Sequence, residues 1–276
     1  MTVRLAVRDF DAVILDLDGV VTDTASVHEA AWRRLFDGFF QHRRSPDGEP
    51  LRAFSHEDYV AHIDGRSRYE AAQKFLAFRG IKLPRGIVND PPHRETICGL
   101  ANRKDAYFVE LVAARGIRVY QGTVWLVAQL QRRGVQAAVV SSSRHCRMVL
   151  AAAGLSALFP VRVDGVDGER LGLAGKPEPG VMLEAARRLG ASPCRTIVVD
   201  NAEAGVVAGR AGGFGQVIGI DRSEESGDRL RAQGADVVVS DLRDVQIVGR
   251  PGRKTAGTRR GADRLVGSGD PSEAAG

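Results

Sequence analysis

No stretch of this chain is apolar enough to cross a bilayer, since nothing approaches the roughly 18 uninterrupted residues that a span needs. The segment Met1 to Phe10 is broken by Arg4, Arg8 and Asp9 and has no signal-peptide h-region, so a cytoplasmic protein with no membrane partner is expected. Cysteine is scarce: Cys98, Cys146 and Cys194 are odd in number, far apart and form no C-x-x-C pair. That excludes a zinc or disulfide framework and leaves reduced packing residues. There is no internal repeat, no G-x-S-x-G and no strand-following G-x-G-x-x-G, which removes serine-hydrolase and dinucleotide-binding readings.

What remains is ordinary soluble composition over 276 residues, enough for one large domain or two smaller ones. The net charge of +5 invites a nucleic-acid partner until it is located. From Gly249 onward the chain holds Arg250, Arg253, Lys254, Arg259, Arg260 and Arg264 against Asp263, Asp270 and Glu273, so +3 of the +5 lies in that tail. The tail is rich in Gly and nearly devoid of apolar residues, so it is expected to be disordered and solvated, with no nucleic-acid role.

The run Asp11 to Thr24 organises the remainder. Val13-Ile14-Leu15 has the β-branched, apolar character of a strand buried on both faces, with Asp16 and Asp18 at its end and Gly19 turning the chain. Val27, Ala30, Ala31 and Leu35 then follow helical spacing, with Thr24 as a fitting N-cap. Between Ala25 and Arg118 no alternating pattern occurs, and short helices are suggested by Tyr69, Ala72, Phe75, Leu76 and by Tyr107, Phe108, Leu111, Val112. The loops run from Gly38 to Pro50 and from Pro84 to Arg94.

Beyond Tyr120 strands and helices alternate. Strands are expected at Val135–Val140, Val161–Val163, Thr196–Val199, Gln216–Ile220 and Asp236–Val239, separated by helices. Pro177 suits a first helical turn, which would put Lys176 at a helix start. Short connections between alternating elements predict an α/β protein with a doubly wound parallel sheet.

In such a sheet the strand ends share one edge, so Asp16, Asp18, Ser141, Asp200 and Asn201 converge there with Lys176. Three close carboxylates repel one another unless a cation or proton intervenes. Mg²⁺, which takes oxygen ligands and keeps substrate phosphate in its shell, meets that need. Lys176 and Ser141 then hold phosphoryl oxygens, Asp16 is the candidate nucleophile toward phosphorus, and Asp18 the candidate general acid and base.

These residues, in this order, resemble the four motifs of the haloacid dehalogenase superfamily: Asp16-Leu17-Asp18-Gly19-Val20, Ser141, Lys176 and Asp200-Asn201. The resemblance covers about Asp11 to Asp241 and is greatest to the β-phosphoglucomutase branch. Asp18-Gly19-Val20-Val21-Thr22-Asp23-Thr24 with His28 is similar to that branch's hinge and hinge-adjacent histidine. Arg68 and Lys104 fall at its cap arginine and lysine, and Ser143-Arg144-His145 at its Ser-Lys-Asn phosphate segment.

The resemblance implies a Rossmann-like core at 1–24 and 119–248, a helical cap at 25–118 and the tail at 249–276. It also implies a monomer acting on a sugar phosphate through an aspartyl phosphate on Asp16, with Mg²⁺ held by Asp16, the Asp18 carbonyl, Asp200 and Asn201. Substrate contacts would come from Thr24, His28, Arg68, Lys104, Ser143, Arg144 and His145. The chain departs from the family's paired acids at Asn201 and from its Lys and Asn at Arg144 and His145. Three functions stay open: interconversion of β-glucose 1-phosphate and glucose 6-phosphate, a sugar-phosphate phosphatase such as one for trehalose 6-phosphate, and a phosphosugar-binding protein with a weakened metal site.

Overall fold

The computed structural model describes residues 3–41, 43–44, 48–222 and 225–249. Except for Gly249, the tail expected at 249–276 lies outside the described residues. Strand β1 (Val3–Ala6) precedes β2 (Ala12–Asp16), and four helices follow: α1 (Ala25–Phe40), α2 (His56–His62), α3 (Arg68–Phe78) and α4 (Ile97–Arg115). Helix α5 (Gln121–Gln131) leads into β3 (Gln136–Val140), α6 (Cys146–Ala152), β4 (Val161–Val163), α7 (Gly165–Leu171) and α8 (Gly180–Leu189). The chain closes with β5 (Thr196–Asp200), α9 (Glu203–Ala211), β6 (Gln216–Ile220), α10 (Gly227–Ala232), β7 (Val237–Val239) and β8 (Val245–Val248).

Six strands form one parallel sheet in the order β4-β3-β2-β5-β6-β7. All five residues of β2 are buried, and their side chains alternate between two apolar layers. Val13 and Leu15 join Leu126, Leu130, Val149 and Val199 on one face, while Ala12 and Ile14 join Met182, Ala185, Val198 and Val206 on the other. Burial on both faces explains why these strands read as continuous apolar runs. From β2 the chain builds outward through β3 and β4, then returns to lay β5 against the other side of β2. The crevice at that reversal, outside the carboxyl ends of β2 and β5, is where open α/β sheets hold ligands.

Helices α1 to α4 enclose a third cluster dominated by aromatic rings. Phe75 lies 4.5 Å from Phe36 and meets Phe54 edge-on at 5.1 Å, a preferred aromatic geometry. Val27 and Ala31 of α1 and Phe108 and Val112 of α4 belong instead to the sheet's apolar layer, so the helical insert is rooted in the core. Two chain segments join insert to sheet, and they pair with each other. Asp23 N–H donates to the Arg118 carbonyl at 2.9 Å, Tyr120 N–H to the Val21 carbonyl at 3.0 Å, and Thr22 bridges Val119 antiparallel. Arg222, just past β6, stacks 3.6 Å from the Tyr120 ring centroid and donates to the carbonyls of Gly19 (3.3 Å) and Val20 (3.4 Å).

Some local expectations require correction. Strands β1 and β8 pair in a separate two-stranded parallel sheet, although each is short and interrupted by Arg4 or Gln246, leaving no pattern to read. Helix α7 is Gly-containing and was not expected. Asp164 starts it by accepting from the N–H groups of Val166 (3.0 Å) and Asp167 (3.2 Å). Lys176 and Pro177 lie in a turn before α8, which begins only at Gly180 after Pro179. Thr24 occupies the N-cap position of α1 but makes no side-chain capping bond, because its hydroxyl is engaged elsewhere. Among the described residues no helix is long and apolar enough to cross a membrane.

The aromatic cluster predicts a sharp contrast in stability. Phe75→Ala, at a fully buried ring, should lower the unfolding free energy by about 3–5 kcal/mol in chemical denaturation. Ile87→Ala, at a side chain 67% exposed, should change it by less than about 0.5 kcal/mol.

Candidate active site at the carboxyl edge of the sheet

At the crevice, β2 ends on Asp16 and β5 on Asp200, and the turn before α8 sends Lys176 beneath them. Lys176 is 1% exposed and its ammonium donates to Asp16 Oδ1 and, at 2.7 Å, to Asp200 Oδ2. Asp200 is further fixed by the Ala202 N–H, which donates to Oδ1 at 2.9 Å. Burial alone would lower the Lys176 ammonium, but Asp16 and Asp200 together hold it above its usual value. Asp16 goes the other way from an ordinary carboxylate. Burial pushes its carboxyl well up, and Asp200 and Asp18 add to that against the pull of Lys176.

Asp18 sits in a different environment. Thr24 donates its hydroxyl to Oδ1, and Ser141 donates to Oδ2 at 2.9 Å. His28 Nε2 lies 3.5 Å from Oδ1. Burial would raise this carboxyl, yet His28, Thr24 and Ser141 together bring it below the usual carboxylate range. Gly19 makes the sharp exit possible. Its φ is +95°, and a Cβ there would stand 2.5 Å from the Asn201 amide nitrogen.

The helical insert closes the cleft from above. His28 stacks on Phe108 with ring centroids 4.0 Å apart, and Lys104 Nζ lies 2.5 Å from His28 Nδ1. Burial and the Lys104 charge lower the His28 imidazole, which suits a neutral ring accepting from Lys104. Lys104, 3% exposed, is itself pushed down by burial to about 8, with Asp105 and Asp18 opposing. Arg68 reaches the cleft and donates to the Tyr69 hydroxyl at 2.6 Å, while its Nε is buried without a partner. Ser143 and Arg144 also line the cleft, Arg144 with a loose ion pair to Glu169 at 3.8 Å. His145 turns toward α4, where Nε2 donates to Asp105 Oδ1 at 3.0 Å.

The residues fit a hard divalent cation. Asn201 Oδ1 is buried and has no hydrogen-bond partner, an uncommon state for an amide oxygen. It adjoins Asp200 in sequence and packs on the Gly19 turn that leaves Asp18. Among the described residues no three His, Cys, Asp or Glu side chains form a ready cage. The donor set is therefore the hard-oxygen kind, carboxylate plus amide carbonyl, which suits Mg²⁺.

The cleft measures about 60 Å³, small against the roughly 300–1,000 Å³ of small-molecule sites. Sequence reasoning missed Trp32, Tyr59, Asp64, Arg66 and Asp105 at or beside this cleft. The segment Asp64 to Arg68 held a signal, a polar run that ends in two arginines.

The sequence profile of the haloacid dehalogenase-like hydrolases matches residues 10–213. The chain belongs to that family. It is 41% identical over 237 residues to a protein named β-phosphoglucomutase from Mycobacterium bovis, covering 85% of this chain and 90% of that one. It is 45% identical over 128 residues to a trehalose-phosphate phosphatase from Mycobacterium leprae, covering 45% of this chain and 28% of the relative. A crystal structure of β-phosphoglucomutase from Clostridium difficile superposes with a TM-score of 0.67 at 24% identity, covering 85% and 92% of the two chains. That likeness shows the shared fold.

Lys104 gives a pH prediction. Its folded value of about 8 lies below the unfolded 10.5, so the folded state binds fewer protons between them and the stability cost of the buried charge is relieved as pH rises through that window. Lys104→Met should thus stabilise the ligand-free protein by about 1–3 kcal/mol at neutral pH, the gain shrinking toward the unfolded value. Urea midpoints measured across that window check it.

Proposed function

We propose that this enzyme transfers a phosphoryl group on a sugar phosphate through an aspartyl phosphate, interconverting β-glucose 1-phosphate and glucose 6-phosphate. The observation that carries the reading is the split between two neighbouring carboxyls, one beside a buried ammonium and one held by hydroxyls and an imidazole. The ammonium of Lys176 favours the ionised Asp16 oxygen that attacks phosphorus, against the burial that raises this carboxyl, and the different partners of Asp18 leave that second carboxyl to handle the proton. An Asp16 oxygen attacks phosphorus and forms the acyl-phosphate bond as the phosphate ester bond breaks. Asp18, ionised in the ligand-free site, takes up a proton when an anionic phosphoryl group arrives beside it and raises its carboxyl, and it gives that proton to the leaving sugar oxygen. In the second half Asp18 takes the proton of the acceptor hydroxyl, whose oxygen attacks the aspartyl phosphate and frees Asp16.

Lys176 and Ser141 hold phosphoryl oxygens, and Thr24 and His28 orient Asp18. Arg68, Lys104, Ser143 and Arg144 bind the far part of the substrate. His145 serves it indirectly, by joining the loop after β3 to α4 through Asp105. Asp16, the Asp18 carbonyl, Asp200 and Asn201 would hold Mg²⁺, which when bound offsets charge developing on the phosphoryl oxygens. Residues 25–118 act as a cap over a core of 1–24 and 119–248, and closure excludes water so that a sugar hydroxyl is the favoured acceptor. The protein is expected to work as a cytoplasmic monomer.

The 41% identity over 90% of a named β-phosphoglucomutase supports the mutase. The second reading, a sugar-phosphate phosphatase, is favoured by the 45% identity to a trehalose-phosphate phosphatase across 128 residues. A coupled assay with Mg²⁺ and a trace of glucose 1,6-bisphosphate separates them. Formation of glucose 6-phosphate is expected, and stoichiometric inorganic phosphate would replace the mutase with the phosphatase.

Two variants test the roles. Asp16→Asn should abolish turnover while the variant still folds, because Lys176 keeps Asp200 as its partner; thermal denaturation checks the fold. Asn201→Asp should keep or strengthen Mg²⁺ binding measured by calorimetry. Wild type that binds no Mg²⁺, together with activity regained in Asn201→Asp, would mark a weakened phosphosugar-binding protein instead.

A further inference from the structure

The cleft contains a carboxyl that the phosphoryl chemistry does not employ. Asp64 lies two residues beyond α2, lines the cleft, and accepts a hydrogen bond from the hydroxyl of Tyr59, a residue only 7% exposed. Its position is held by its neighbour. Gly65 has a φ of +72°, its carbonyl accepts from Ser142 Oγ at 2.9 Å, and a Cβ there would come 3.0 Å from the Ala202 Cβ. The loop is therefore pressed onto the sheet edge at a spacing only glycine allows, and Asp64 is carried to within electrostatic reach of Asp200, Lys176 and Asp18.

Such a placement is unfavourable for binding phosphate. Asp16, Asp18 and Asp200 already concentrate negative charge there, and a further carboxylate repels an anionic substrate. Burial pushes the Asp64 carboxyl up to about 6, with the nearby Asp200 adding to that and the Tyr59 bond opposing it. The cations that suit phosphate line the same cleft, Arg66 and Arg68 on neighbouring positions and Arg144 from the loop after β3. An ionised Asp only accepts hydrogen bonds, and the donors a sugar phosphate brings are its ring hydroxyls.

We propose that Asp64, oriented by Tyr59, is a specificity-determining residue that accepts a hydrogen bond from a ring hydroxyl of the sugar phosphate. The cap loop then reads two chemistries with adjacent residues: hydroxyl by Asp64, phosphate by the arginines that follow. A site built to bond a hydroxyl discriminates strongly against the analogue that lacks it, because its own polar group is left unpaired. This assignment rests on the sugar-phosphate reading above and adds the part of the ligand which that reading leaves unrecognised.

The test measures kcat and KM for wild type, Asp64→Ala, Asp64→Asn and Tyr59→Phe. The substrates are β-glucose 1-phosphate, or the hexose phosphate that turns over fastest, and analogues each lacking one ring hydroxyl. Asp64→Ala should lower kcat/KM on the parent sugar by about 10- to 100-fold, chiefly through KM, with a smaller loss for Tyr59→Phe. For one analogue, wild type should itself fall by a similar factor, so that the substitution costs less than about threefold there. An equal loss with every analogue, or no loss on the parent, overturns the proposal. If Asp64→Ala does not fold, Tyr59→Phe and Asp64→Asn, which keeps an acceptor oxygen but loses the charge, carry the comparison with smaller analogue-specific losses. Wild type that consumes acetyl phosphate but no hexose phosphate removes the sugar-phosphate reading and Asp64's role with it. Sugar turnover without an analogue-specific collapse removes the role of Asp64 alone.

Discussion

The buried ammonium of Lys176, shared by the carboxylates that end β2 and β5, is the constraint around which the sheet edge is arranged. Two carboxylates cannot be brought side by side in a nearly dry crevice without a counter-charge, and removing one member of a buried ion pair typically costs about 3–5 kcal/mol. The strand order answers that electrostatic problem. Placing β5 directly against β2 makes Asp16 and Asp200 neighbours, and the turn before α8 delivers the cation from below, where water does not compete. Asn201 then has its amide oxygen left over on the same rim.

The same edge separates two kinds of acid by their partners. Asp16 is matched with a charge, whereas Asp18 is matched with hydroxyls and a ring. Above them, Lys104 touches His28, and His28 faces Asp18, so a residue of the insert is electrically connected to the core through one imidazole. The stacking of that imidazole on Phe108 keeps its plane fixed and its two nitrogens aimed at different partners.

Much of this was legible in the sequence because the relevant rules are local. Buried parallel strands announce themselves as short β-branched runs, and a parallel sheet puts their ends together, so Asp16, Ser141 and Asp200 could be grouped before any coordinate was known. What escaped notice depends on contacts between distant residues or on competition for one group. Thr24 stands at the N-cap of α1, yet the turn at Gly19 brings Asp18 within reach and the hydroxyl goes there. His145 has several possible partners in sequence terms, and only the docking of α4 selects Asp105 across 40 positions. Asp64 reads as an ordinary loop acid until α2 ends in a way that aims Tyr59 at it. Strands β1 and β8 lie at opposite ends of the described chain, and at four residues each they are too short to signal their pairing.

The two segments that cross between sheet and insert are hydrogen-bonded to each other, with Arg222 laid across them. Mechanically they form a ribbon rather than two strings. Two independent tethers would let the insert twist freely, but a bonded pair bends far more easily than it twists. A displacement of the insert would therefore carry both segments together. The paired stretch begins at Val21, three residues beyond Asp18, so the carboxyl held by Thr24 and Ser141 stands next to the joint between sheet and insert.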